Sequence, residues 1–136
     1  MELAQIKCFL IVDDLVSVRK ILRDHLIELG IKAELKEAKD IAEAKEVLKA
    51  QHASGGPVQF IFSDWQMPGG SGLELLEFVR GRPEFCHLPF IMITTQNEKE
   101  NVMKAIVSGA TGYVIKPWNK QSLLEKITIG LKKHGA

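Results

Sequence analysis

Aspartates stand at the ends of two short apolar runs: Asp13 and Asp14 follow Val12, and Asp64 follows Ser63. A hydroxyl, Thr94, ends a third run, and an ammonium, Lys116, ends a fourth. Carboxylates gathered within a few ångströms repel one another, and each raises the pKa of the others. They stay ionised together if a divalent cation sits among them, and oxygen donors that leave room for water suit Mg²⁺. Such an ion invites a phosphate oxygen as a further ligand. Lys116 offers a charge to a second phosphate oxygen, and the Thr94 hydroxyl can donate to a third. A carboxylate can itself attack phosphorus and form an acyl phosphate. The chemistry implied is Mg²⁺-dependent phosphoryl transfer onto an aspartate. Adjacent side chains are expected to diverge, so Asp13 and Asp14 suit metal holding, one directly and the other mainly through water. Asp64 stands alone on a central run and is the better nucleophile.

Five strands and five helices in alternation must position these groups. Cys8–Val12 is a continuous apolar run, as expected of a strand buried on both faces. Val18, Ile21, Leu22, Leu26 and Leu29 recur at helical spacing and stop at Gly30. Residues 33–38 alternate apolar with charged, which predicts a half-exposed edge strand. Asp40 is a candidate N-cap for a helix carrying Ile41, Ala44, Val47 and Leu48. Ser54-Gly55-Gly56-Pro57 breaks the chain as a loop. Further strands are predicted at 58–63, 89–94 and 113–116, with a loop at 64–71. Helices are predicted at 72–79, 98–108 and 120–133. The fourth of the five helices carries Val102, Met103, Ile106 and Val107 on one side, and the last turns Leu123, Leu124, Ile127 and Leu131 inward. Right-handed crossovers between parallel strands give a doubly wound α/β sheet, whose sites form beyond the carboxyl ends of the strands. All five candidate residues fall at such ends.

The composition suits one domain over 1–136: the chain has 136 residues, 46% of them hydrophobic and 26% charged. A net charge of +1 gives no basic footprint for nucleic acid. Cys8 and Cys86 lack metal-type spacing, and His25, His52, His87 and His134 are dispersed. The first apolar run is too short for a signal peptide or a membrane span, so a cytoplasmic location is expected. Trp65 and Trp118 read as packing or partner contacts, and Lys132-Lys133-His134 as a helix end whose cations suit the dipole.

The runs VDD at 12–14, SDWQMPGGSGLELL at 63–76, TT at 94–95 and YVIKP at 113–117 together resemble the response-regulator receiver family. The resemblance spans nearly the whole chain and is strongest to its stand-alone chemotaxis members. It implies a flavodoxin-like sheet of strand order 2-1-3-4-5. It also implies Asp64 as phosphoacceptor, with Asp14, Asp64 and the backbone carbonyl of Gln66 holding Mg²⁺ and Asp13 acting through water. Lys116 would pair with the phosphoryl group. Thr94 and Tyr113 would form a switch pair that repacks the face made by helix four, strand five and helix five. Lys99, Tyr113 and Lys126 match the partner-binding face of the chemotaxis members, and Trp118, where Phe is common, would enlarge that surface. Thr95 stands where Ala or Gly is frequent and is expected to crowd the site. Gln66 and Gln96 occupy positions that modulate phosphoryl lifetime, and the 54–57 loop is expected to be a few residues longer than is usual in the family.

The partners implied are a histidine kinase, an output protein such as the flagellar motor switch, and a phosphatase, around a monomer that binds neither membrane nor nucleic acid. A phosphorelay intermediate and a receiver fragment of a longer regulator are the alternatives. A phosphatase on a related sheet would also use an aspartate and Mg²⁺. It would need an acid/base aspartate two residues after the nucleophile, and that place is Gln66. A self-modifying switch, not a conventional enzyme, is therefore expected. Taken singly, each residue has a plainer role. Asp13-Asp14 suits a helix N-terminus, Thr94 a strand, Lys116 a solvated end, Asp64 a turn and Tyr113 simple packing. Their joint placement at four strand ends is what argues for a shared site.

Overall fold

The computed structural model describes residues 2–95 and 99–133. Five parallel strands form one sheet: β1 (Cys8–Val12), β2 (Glu34–Ala38), β3 (Phe60–Asp64), β4 (Phe90–Thr95) and β5 (Gly112–Lys116). Their order is β2-β1-β3-β4-β5. Helices α1 (Val16–Glu28), α2 (Ile41–Ala53), α3 (Gly72–Arg80) and α4 (Lys99–Val107) make the crossovers, and α5 (Lys120–Lys133) follows the last strand. The chain is thus a doubly wound, flavodoxin-like α/β fold with the order the sequence resemblance implied.

The two-residue alternation of β1 divides the core. Phe9 and Ile11 pack with Leu22 and Leu26 of α1 and Leu123 and Ile127 of α5. Cys8, Leu10 and Val12 face the other layer, with Ala44 and Leu48 of α2, Leu75 and Leu76 of α3 and Ala105 of α4. Phe9, Phe60 and Phe62 cluster within the first layer, with ring centroids 5.1–6.2 Å apart. The edge strand β2 keeps only Ala38 buried, and Lys36 pairs with Glu34 at 2.9 Å on it.

Local chemistry sets the element ends. The Asp40 carboxylate accepts from the Glu43 N–H at 2.8 Å, as its N-cap reading required. Asn119 caps α5 by accepting from the Ser122 N–H at 2.8 Å. At the end of the sheet where β4 and β5 begin, the half-buried Arg80 guanidinium donates to the carbonyls of Gly109 (2.9 Å) and Leu88 (2.6 Å). It thereby ties the C-terminus of α3 to the turns that feed β4 and β5.

Two sequence expectations are corrected, and the direction of the α4 apolar side, which the sequence left open, is fixed. Residue 58 does not open β3, which starts at Phe60, although Val58 is buried. The 64–71 loop contains a two-residue antiparallel ladder, Gln66–Met67 with Gly70–Ser71, closed by Gly69 at φ 82°. In α4 the apolar side formed by Met103, Ile106 and Val107 faces outward, and Val107 is 82% exposed. The helix meets the core through Ala105 instead, because a small residue lets it lie close.

Candidate phosphoryl-acceptor site

Strand register brings the rim together. Val12 lies beside Ser63, so the residues that follow, Asp13 and Asp64, emerge as neighbours. Asp64 lies beside Ile93, which places Thr94 one step beyond it, and Thr95 pairs with Lys116. The four strand ends that carry the chemistry are thus consecutive across the sheet.

Lys116 Nζ bridges Asp13 Oδ2 at 3.2 Å and Asp64 Oδ2 at 3.3 Å. The other Asp64 oxygen accepts from the Trp65 N–H at 2.8 Å, and Asp13 Oδ1 accepts from the Leu15 N–H at 2.9 Å. Carboxylate oxygens of Asp13, Asp14 and Asp64 lie within 4.8 Å of one another. This corrects the expectation that Asp13 and Asp14 diverge. Strand alternation ends at Val12 and the chain bends at Asp14, so both side chains reach the same rim. Asp14 also lines an open cleft of about 570 Å³ with Gln66 and the turn that follows it.

Burial pushes the Asp64 carboxyl up from 3.8 to about 6, and the charge of Asp13 adds to it. Lys116 and the Trp65 N–H act against that rise. For Lys116, burial works to lower the ammonium, but Asp64 and Asp13 outweigh it and hold it above its ordinary 10.5. Among the described residues, Asp13, Asp14 and Asp64 are the one converging group of carboxylate, thiol or imidazole side chains. Three hard oxygen donors with an aspartate held partly against ionisation fit a divalent cation such as Mg²⁺.

Other expected residues lie around this centre. Thr94 is buried and Thr95 half-buried at the end of β4. Tyr113 is half-exposed, with Lys126 Nζ 4.6 Å from its ring centroid. Trp118 is half-buried, and its indole N–H donates to His25 Nδ1 at 2.9 Å, binding the β5–α5 turn to α1. Lys99 opens α4, but its side chain lies outside the described residues, as do Gln96 and His134.

Two supports escaped the sequence reading. A side chain at Gly72 would collide with the Asp64 carbonyl, and its Cβ would lie 2.7 Å from Met92 Sδ. Gly72 also donates its N–H to the Trp65 carbonyl at 2.7 Å, so α3 presses directly on the backbone that carries Asp64. The other is Arg19, which reaches back to Asp13.

An acidic cluster bridged by a lysine, at the carboxyl rim of a 2-1-3-4-5 sheet, defines the receiver class of α/β proteins. The chain belongs to that family: the response regulator receiver domain model matches residues 9–128. It is similar to the chemotaxis protein CheY-3 of Vibrio cholerae, 37% identical over 118 residues that cover 87% of this chain and 86% of that protein. Chemotaxis protein CheY of Pseudomonas aeruginosa is 37% identical over 118 residues, covering 87% and 90%. The structure of the chemotaxis response regulator CheY4 of Vibrio cholerae superposes with a TM-score of 0.78 at 32% identity, covering 93% of this chain and all of that one.

Proposed function

We propose that the chain is a phosphorylation-activated switch that accepts a phosphoryl group on Asp64 from a histidine kinase. The convergence of Asp13, Asp14 and Asp64 with the Lys116 ammonium between them carries this reading. Asp13, Asp14, Asp64 and the Gln66 carbonyl would hold Mg²⁺, which when bound neutralises charge on the phosphoryl oxygens. An Asp64 oxygen attacks phosphorus, the P–N bond to the donor imidazole breaks, and its electron pair and a proton stay on that imidazole. Lys116 holds a phosphoryl oxygen, and the buried Thr94 hydroxyl donates to another.

The signal leaves by the α4–β5–α5 face. Thr94 moves toward the phosphoryl group and the Tyr113 ring follows inward, away from Lys126. This is a local charge event that biases a two-state element. The outward apolar residues Met103, Ile106 and Val107 give that face contact area, alongside Lys126 at the Tyr113 ring. The resemblance to chemotaxis proteins favours the flagellar motor switch as the partner. Turnover is limited to the protein's own phosphorylation and hydrolysis. The protein acts in the cytoplasm, where its two free cysteines stay reduced.

Incubation with acetyl phosphate and Mg²⁺ tests the acceptor, read by intact mass. The native chain is expected to gain one phosphoryl group and Asp64→Asn none. Labelling of the variant at the native level would overturn the assignment. Binding of the phosphorylated chain to the motor switch protein, compared with the unphosphorylated chain, tests the partner.

A further inference from the structure

We propose that Arg19, locked by Glu37, is a positioning residue that sets the Asp13–Asp14 peptide and thereby the Mg²⁺ affinity of the site. The inference rests on the reading of that site as a Mg²⁺-dependent phosphoryl acceptor. Arg19 lies near the start of α1, yet its side chain turns back on the strand end, where it is only 14% exposed. Its Nη1 donates to the Asp13 carbonyl at 2.6 Å, and its Nε donates to Glu37 Oε1 at 3.0 Å. Arg23 Nη1 donates to the other oxygen of Glu37 at 3.3 Å and to the Leu35 carbonyl at 3.2 Å. One carboxylate on β2 therefore fixes two guanidinium groups of α1, and one of these grips the site.

The carbonyl that Arg19 holds belongs to the peptide bond joining the two adjacent aspartates. A peptide is planar, so fixing its oxygen fixes the Asp14 N–H and the direction in which the Asp14 Cα leaves. The preceding peptide is held too, because the Asp13 N–H donates to the Ala38 carbonyl at 3.0 Å. Both holds trace to β2, a strand that contributes no side chain to the rim itself. The bend at Asp14, which turns two adjacent carboxylates onto one site, is thus held from outside that site. A charge-assisted bond from a planar fork suits this task, since Arg can bind a carbonyl and a carboxylate at once and Lys cannot hold both in fixed geometry.

Groups that orient metal ligands from the next layer out typically contribute about 10–100-fold to metal affinity. Calorimetric titration of the full chain with MgCl₂ tests the proposal, with folding followed by circular dichroism and urea unfolding. Arg19→Met is expected to weaken Mg²⁺ binding about tenfold or more. Arg19→Lys should recover part of the loss, and Glu37→Gln, which keeps an acceptor but loses the charge, should weaken binding several-fold. If Arg19→Met does not fold, Arg19→Lys and Glu37→Gln carry the test. A merely structural role would lower the urea midpoint and leave the Mg²⁺ affinity of the folded protein unchanged. Affinity within twofold of native in every folded variant therefore overturns the proposal. Asp14→Asn separates the two levels of inference. Mg²⁺ binding that depends on Asp14 but not on Arg19 or Glu37 removes the positioning role alone. A native chain that binds no Mg²⁺ removes the reading of the site and the proposal with it.

Discussion

Burial and the neighbouring Asp13 charge hold the Asp64 carboxyl at about 6, against 3.8 for an ordinary aspartate. The folded chain therefore binds this proton more tightly than the unfolded chain. Stability from the group is full below about pH 4 and is lost as pH rises through about 6. One pKa unit corresponds to about 1.4 kcal/mol, so the cost of ionising Asp64 in the metal-free fold is on the order of 3 kcal/mol. Asp64→Asn removes that cost. In EDTA at pH 7.5 the variant is expected to unfold at higher urea than native, with the gap narrowing as pH falls through 6 toward 4. A less stable variant at pH 7.5 would mean that the Lys116 pairing outweighs burial. Sequence alone supplied Asp13, Asp14, Asp64 and Lys116, which the fold brings together, because each ends a recognisable run. It did not supply Arg19, whose role depends on a side chain folding back six residues to a backbone atom. Nor did it supply the convergence of Asp13 with Asp14, since strand alternation held only as far as Val12.

At the scale of elements, α3 and β3 meet more closely than most helix–strand pairs allow. Helix propensity alone favours Gly72→Ala by less than the ~1 kcal/mol of a helix interior, because Gly72 is the first residue of α3. The added methyl would instead meet the Asp64 carbonyl and Met92, and such overpacking costs about 1–3 kcal/mol. Gly72→Ala is therefore expected to lower the urea midpoint, and to slow acetyl phosphate labelling because the Asp64 backbone must move. A stabilised variant with native labelling would show that α3 can shift without disturbing the site. The alternation of strands and helices was legible in the sequence because apolar period distinguishes the two. The outward turn of α4 was not. A period gives the angle of a stripe around its helix but not which way that stripe faces, and Ala105 rather than the larger side chains decided it.

For the whole molecule, an ion that binds only the folded chain stabilises it in proportion to the logarithm of its concentration. At a hundred times its dissociation constant the gain is about 2.7 kcal/mol. In a domain of this size that corresponds to a rise of roughly 5–10 °C in melting temperature. Scanning calorimetry at pH 7.5 with increasing MgCl₂ should show this rise in the native chain and its loss in Asp14→Asn. An equal rise in both would place the ion elsewhere.

An open five-stranded sheet also has two unpaired edges, and the β2 edge is defended. Glu34, Lys36 and Glu37 lie along it, two of them paired with each other and the third engaged by Arg19 and Arg23. A second copy adding a strand there would have to strip water from these charges and displace Arg23, which Glu37 holds, from the Leu35 carbonyl. Edge-to-edge polymerisation into extended sheets is thus opposed at β2, in part by the carboxylate that steadies the acidic site.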